Sequence, residues 1–360
     1  MTAAEPAGGQ HPREMDAAVL RDFGDLAVER VPVPAPGPGE ALIRVRACGI
    51  CGTDLKIVRG TFRGTWPPSL PFIIGHEWSG VVVGLGQGTE RSGVAVGDRV
   101  VAENHAGCGS CALCRAGRYN LCERVREPGY RLYGHTAPGA LAEYAVRPVV
   151  LLHKLPATIS DVEAALVNQG ALTVHAVRRA RLGPGATVAV FGPGLLGLLM
   201  VQVARAAGAT RVLTVGRGSR LRLAAELGSD DAIDYEQADP VAALRVATGH
   251  RGVDCVFECS GNPTAVPQAL ASVRRGGVVA LLGLAGGASV EVPVDRLTLD
   301  EIDLLGVRSS PNAYPAMIEL MATGAVSAKP LATHVYPLAA VEAAFTALER
   351  REAVRPIVTM

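Results

Sequence analysis

Four cysteines, Cys108, Cys111, Cys114 and Cys122, stand at the spacing C-x2-C-x2-C-x7-C. Each short step can wrap a turn around one ion, and the long step brings a fourth sulfur over it. Four thiolates suit a closed tetrahedral zinc site with no open position, so such an ion is structural and does not catalyse. Binding energy on the order of 10 kcal/mol can hold a loop that has little core of its own. Gly107, Gly109 and Gly117 permit the backbone turns. A redox pair needs only two cysteines, and iron–sulfur spacings usually differ.

A second pattern is "VAVFGPGLLG", with Gly192, Gly194 and Gly197 between a strand-like and a helix-like run. The first glycine makes a turn, the second lets the backbone approach a pyrophosphate, and the third permits close helix–strand packing. The helix then opens at Leu195 and Leu196, where its amides face the anion. Cofactor choice is expected at the end of the next strand, "VLTVGRGSRLRL". No carboxylate stands between Val212 and Leu223 to bind a ribose 2′-hydroxyl; Gly216, Arg217, Ser219 and Arg220 stand there instead. Arginine pairs with a 2′-phosphate, so NADP is expected. If these arginines only face solvent at the helix start, NAD remains open.

The chain of 360 residues is long enough for two domains that must position these groups. It is 49% hydrophobic and 4% aromatic, rich in Gly and Ala, which suits tight helix-on-sheet packing. A net charge of +1 with mixed signs gives no footprint for nucleic acid. No signal peptide and no membrane span are read, so a cytoplasmic address is expected, where clustered cysteines favour metal over disulfide. Residues 1–14 read as a disordered polar tail. Residues 15–160 read as β-rich, with short apolar runs such as "ALIRVRACGI", "GVVVGLG" and "DRVVAE". Ser160 and Glu163 form a capping-box pattern for a helix through about Ala180. Strands and helices then alternate to 303, the pattern of a parallel sheet covered on both faces. "NPTAVPQALASVRRGG" reads as one helix in that series, and Cys255 and Cys259 as inert residues of a buried strand. From 304 to 360 the chain is expected to return to the first domain.

Taken together, the cysteine spacing lies between "GICGTD" and "GHE" upstream and "GPGLLG" downstream. With "GDRV", "GALAEYAV", "FECSG" and "PAMIELMATGAVSAKPLATHVYPL", the chain resembles the zinc-dependent medium-chain alcohol and polyol dehydrogenases. The last stretch is most similar to the sorbitol, threonine and cyclitol branches. The resemblance implies an α/β protein, with a GroES-like β-rich catalytic domain and a doubly wound parallel-sheet Rossmann domain. On their own, Cys51, His76 and Glu77 would fit ordinary buried residues. The resemblance makes Cys51 and His76 ligands of a catalytic zinc and Glu77 the adjacent carboxylate, which binds zinc or exchanges with water. Asn168 falls where relatives carry the remaining ligand, followed by Gln169; either amide, or Glu77 with water, would complete the shell. A neutral amide is a poor zinc ligand, so affinity at this site is expected to be below that of the cysteine cage.

The same resemblance gives Thr53 the substrate proton and puts Lys56 where many relatives have a relay histidine. Asp54 is read as stabilising its loop, and Cys48 as packing. His105 and His135 are candidates for the substrate cleft. The implied reaction is hydride exchange between a secondary alcohol (a polyol, sugar or cyclitol) and NADP, with zinc as Lewis acid. The partners are a small alcohol or ketone, with neither nucleic acid nor membrane, in a homodimer or homotetramer. Alternatives are a reductase that has weakened or lost its catalytic zinc, and a nucleotide-binding protein without turnover.

Overall fold

The structure is a computed structural model that describes residues 11–125, 127 and 129–360. Most of the expected polar tail lies outside the described residues; Glu14 already begins a strand. The chain divides into two compact units, one running to Asn168 and resuming at Ala332–Met360, the other Gln169–Leu331.

The first unit is built on strands. β1 (Glu14–Asp22) and β2 (Asp25–Pro32) form an antiparallel hairpin. β3 (Glu40–Gly49) leads to the short helix α1 (Gly52–Val58), and β4 (Phe72–Ile73) pairs with β1. β5 (Glu77–Leu85), β6 (Arg99–Ala102), β7 (Tyr144–Pro148) and β8 (Leu152–Lys154) join β3 in a sheet. The helix α2 (Ala112–Arg115) lies in the cysteine segment. Ile43, Val45, Trp78, Val82 and Val100 meet in a dry core, as alternation along paired strands requires. The capping box at Ser160 forms, with the Glu163 amide donating to the Ser160 hydroxyl at 3.2 Å. The helix it starts, α3 (Asp161–Ala164), ends after four residues. α4 (Val167–Arg179) follows separately, so the single helix expected to Ala180 is two. Arg99 fixes α3 to the sheet through Asp161 at 2.6 Å and the Ile159 carbonyl at 2.7 Å.

The second unit alternates β9 (Thr187–Phe191), α5 (Leu195–Ala206), β10 (Arg211–Gly216), α6 (Gly218–Glu226), β11 (Asp231–Asp234), α7 (Pro240–Ala247) and β12 (Val253–Glu258). It continues with α8 (Ala265–Ser272), β13 (Val273–Leu281), α9 (Val294–Leu299), β14 (Asp303–Gly306) and α10 (Tyr314–Ala322). The sheet order is β11-β10-β9-β12-β13-β14, with all pairings parallel. This is the doubly wound order, whose direction reverses between β9 and β12. α5 buries nearly its whole surface, as a helix apolar on every side must. Ala265, Val266, Ala269 and Leu270 form the buried face of α8.

Two expectations are corrected here, and β11 is a strand that none of the expectations contained. "VRRGG" belongs to β13 and not to the preceding helix: Val273 pairs with Val253, and Gly276 takes φ +63°, which a helix does not allow. The strand "DAID" of β11 carries too few apolar residues to stand out. The chain leaves the second unit at Leu331 rather than near 304, because β14 adds a sixth strand beside β13 and α10 follows. Cys259 lies just past the end of β12, with Cys255 inside it. The returning segment supplies β15 (His334–Pro337), α11 (Val341–Glu349) and β16 (Pro356–Thr359), and β16 pairs with β3. Among the described residues no helix is long and apolar enough to cross a membrane.

Candidate active site

Cys51 stands in extended conformation before α1 and caps it. Its sulfur accepts the Thr53 amide at 3.1 Å, and the Asp54 carboxylate accepts the Cys51 amide at 2.9 Å. This is a capping box with sulfur in place of a hydroxyl. The register of β3 on β5 places Gly49 opposite Glu77, which carries His76 and Glu77 to the start of α1. The Cys51 sulfur lies 3.2 Å from His76 Nε2, and Glu77 Oε1 lies 3.8 Å from the same nitrogen. Tetrahedral zinc with bonds of about 2.0–2.3 Å would hold such atoms about 3.5 Å apart. Asp54 Oδ1 sits 3.2 Å from His76 Nδ1, so Nε2 is left to face the sulfur. A carboxylate behind a ligating histidine fixes its tautomer in this way.

The charges point to a cation. Asp54 and Glu77 are fully buried, and Cys51 is nearly so. Burial alone would lower the His76 pKa, but the facing Cys51 and Asp54 hold it well above its ordinary value. Arg355 answers only part of this charge: its Nε lies 3.3 Å from Glu77 Oε2, and its Nη1 donates to the Ile50 carbonyl at 2.7 Å. When an ion takes Nε2 the imidazole is neutral, and a thiolate, two carboxylates and one guanidinium then present two negative charges for a dication to balance. The donor set therefore fits zinc.

Around this centre, the Asn168 side-chain amide nitrogen lies 3.5 Å from the His76 carbonyl, beside the ligand cluster. The His135 ring lies 4.5 Å from the His76 ring and 4.9 Å from Trp66, which meets Phe62. Burial and the facing His76 lower the His135 pKa to about 3, so the ring is neutral. His105 instead meets the Tyr130 hydroxyl at 3.3 Å, toward the cysteine lobe. Thr53 and Lys56 are half-buried and share a face of α1. Cys48 packs in the core. The reading of the sequence missed Arg355 and the contact of Asp54 with His76; neither carries a local signal.

The sulfurs of Cys108, Cys111, Cys114 and Cys122 gather within 4.8 Å of one another. Cys108 and Cys114 are 3.9 Å apart, close to the edge of about 3.8 Å that a tetrahedral zinc–thiolate site gives. Amides point at the sulfurs: Cys111 to Cys108 at 3.3 Å and Cys114 to Cys111 at 3.4 Å. The Ser110 hydroxyl, with the Cys111 and Ser110 amides, lowers the Cys108 pKa to about 5. Gly107 has φ +63°, and a Cβ there would meet Tyr119 at 2.8 Å and the Cys114 sulfur at 3.1 Å. Tyr119 in turn donates to Glu103, tying the lobe to the end of β6 at 2.5 Å.

In the second unit, each glycine of the loop after β9 has its own reason. Gly192 has φ +91°, and a Cβ would strike Ser260 at 2.6 Å. Gly194 caps α5 and faces open space. A Cβ on Gly197 would run into the Gly192 carbonyl. Glu258, buried at the end of β12, accepts the amides of Ser260 at 2.8 Å and Gly261 at 3.1 Å and so shapes the neighbouring loop. Arg217 precedes α6, pairs with Glu236 and lies over the Tyr235 ring. Glu236 follows β11, the strand paired with β10.

The chain matches the Alcohol dehydrogenase GroES-like domain over residues 37–157 and the Zinc-binding dehydrogenase family over 196–323. It is 37% identical to a sorbitol dehydrogenase of Bacillus subtilis, covering 91% of each chain. The chain belongs to the zinc-dependent medium-chain alcohol and polyol dehydrogenases. An erythritol/L-threitol dehydrogenase of Mycolicibacterium smegmatis is 36% identical, over 91% of this chain and 92% of the other. Among solved structures, a zinc-binding dehydrogenase of Sinorhizobium meliloti bound to NADP superposes with a TM-score of 0.88 at 32% identity. That match covers 96% of this chain and 99% of the other. As a member of this dehydrogenase family, the chain is an alcohol or polyol oxidoreductase that works with zinc and a nicotinamide cofactor.

Proposed function

We propose that this dehydrogenase interconverts a secondary alcohol of the polyol, sugar or cyclitol class and its ketone, with NADP as the preferred cofactor. The observation that carries the reading is the convergence of Cys51, His76 and Glu77 on one point, with Asp54 behind the imidazole. Zinc, when bound there, supplies Lewis acidity toward the substrate oxygen. The chain's own residues do the rest. Cys51, His76 and Glu77 hold the ion, and Asp54 and Arg355 orient them. Thr53, whose amide is fixed on the Cys51 sulfur, offers a hydroxyl to take the substrate proton, and Lys56, on the same face of α1, would serve as a contact for the cofactor. Asn168 serves beside His76 as a positioning donor, with Glu77 completing the protein ligands. Cys108, Cys111, Cys114 and Cys122 hold a second, structural zinc.

Gly192, Gly194, Leu195, Leu196 and Gly197 would hold the pyrophosphate. Arg217 and Arg220, with Gly216 and Ser219, take the 2′-phosphate at the start of α6. The pair of Arg217 with Glu236 is exposed to solvent, so opening it costs little. Glu236 also favours a second reading, in which it neutralises Arg217 and NAD binds. Polyols, sugars and cyclitols assayed with each cofactor, alongside zinc counting, test the proposal. NADP should give the higher kcat/KM, with two ions per subunit, and Arg217→Ala with Arg220→Ala should narrow the difference. A preference for NAD untouched by those substitutions refutes the cofactor assignment. A fully active enzyme with one ion refutes the metal assignment.

A further inference from the structure

A cleft of about 970 Å³ lies at the amino-terminal edge of the parallel sheet in the second unit, away from the glycine-rich loop. Five arginines line it, Arg178, Arg179, Arg181, Arg251 and Arg274, against two carboxylates, Asp254 and Asp303. Asp254 is already engaged. It accepts Arg274 Nε at 2.6 Å, Arg251 Nη1 at 3.2 Å and the Thr187 amide at 2.7 Å. That network ties both arginines to the start of β9. Among the described residues, no carboxylate lies within ion-pair distance of Arg178, Arg179 or Arg181. Arg178 donates only to a carbonyl, that of Asn312, at 2.8 Å. Arg179 Nε is buried with no hydrogen-bond partner. Leaving such a donor unsatisfied is costly, because its lost hydration is not replaced.

Arg181 adds a second observation. It stands just past α4 at φ +51°, the left-handed position where glycine is cheapest. The helix end is closed by the Arg181 amide to Arg178 and the Leu182 amide to Val177, at 3.2 and 3.1 Å. Its carbonyls are thus partly occupied, and backbone geometry alone would be better served by glycine. The charged side chain is kept at a conformational cost. It points its charge into a wall that already carries four other guanidinium groups.

We propose that this cleft binds a small molecule bearing closely spaced phosphates, at a site separate from the dinucleotide cofactor. Guanidinium forks match phosphate oxygens two at a time, and several forks in one concave wall suit a di- or triphosphate better than a single carboxylate. The glycine-rich loop follows β9, whereas the cleft precedes it. β9 is five residues long, about 17 Å at strand rise, so one pyrophosphate cannot serve both ends.

The test is calorimetric titration of inorganic tripolyphosphate into the full chain saturated with NADP, repeated with ATP and at raised salt. One saturable site per subunit is expected, weakening as salt rises. Arg181→Gly should reduce the affinity while leaving thermal stability equal or higher, because it relieves the left-handed position. Arg179→Gln combined with it should lower affinity at least tenfold, with the NADP KM unchanged. Equal binding to tripolyphosphate and ATP would make the phosphates the recognised group; tighter ATP binding would add the nucleoside to it. The proposal is overturned if no saturable binding occurs, if only a long polyanion such as nucleic acid binds, if NADP competes, or if Arg181→Gly binds as the parent does.

Discussion

Replacing Asp54 by Asn separates the orientation of His76 from the ligands themselves. The Asp54 carboxylate accepts the Cys51 amide at 2.9 Å and faces His76 Nδ1 at 3.2 Å. An amide of the same shape has one acceptor and one donor. It can satisfy one of these N–H groups but must turn its own NH2 toward the other. If His76 loses, its tautomer is no longer fixed and the buried cluster has one negative charge fewer to attract a dication. Groups that orient a ligating histidine are worth about 10–100-fold in metal affinity, or about 1.4–2.8 kcal/mol. If Cys51 loses, the α1 cap weakens by about 1 kcal/mol. The assay is competition for zinc with a coloured chelator, resolved into two classes of ion. The cysteine cage serves as internal control, since none of its ligands touches Asp54. Asp54→Asn should weaken one class about 10–100-fold and leave the other alone. Unchanged affinity in both classes would refute the argument, and equal weakening of both would show a general loss of structure instead.

Four further outcomes are expected. Arg355→Leu removes the partner of the buried Glu77 and should cost about 3–5 kcal/mol in urea unfolding; a loss under about 1 kcal/mol, typical of an exposed pair, would show that the charges are solvated. Gly194→Ala should keep its fold but lose cofactor affinity, whereas Gly192→Ala should also lose thermal stability, because only the second meets a wall, at Ser260; equal melting temperatures would contradict this. Exhaustive chelation should open the segment from Cys108 to Cys122 to proteolysis before the rest of the chain, and an early cut elsewhere would deny it a structural ion. Burial alone would raise the Asp254 pKa, but Arg274, the Thr187 amide and Arg251 pull it below the usual 3.8. Its contribution is therefore present above that value and lost as pH falls through the lower folded-state pKa. Asp254→Asn should flatten the acid limb of a stability–pH curve, and parallel limbs would count against the ion pairs.

Features legible in the sequence were those with a local cause. The Ser160–Glu163 capping box, the glycines of "GPGLLG" and the cysteine spacing each express a constraint within a few residues. Chain pairings at a distance left no such trace. Arg355 and Ile50 are 305 residues apart, and nothing near either residue announces the other. Glu236 is as hidden from Arg217, because adjacency of β10 and β11 is a property of the sheet. "VRRGG" failed for another reason: one valine followed by charge and glycine carries no hydrophobic period, and only pairing with β12 decides it. The return at Ala332 rather than 304 was obscured because β14 is just four residues long.

The second unit is continuous in sequence, but the first is split around it, and β16 and Arg355 arrive from the far side. During synthesis the nucleotide-binding half can therefore finish folding while the catalytic half still waits for its last strand. Until that strand arrives, Glu77 has no guanidinium beside it and β3 keeps an open edge. The nascent protein thus has an ordering problem: a half-built sheet must be kept soluble until an entire neighbouring domain has been made.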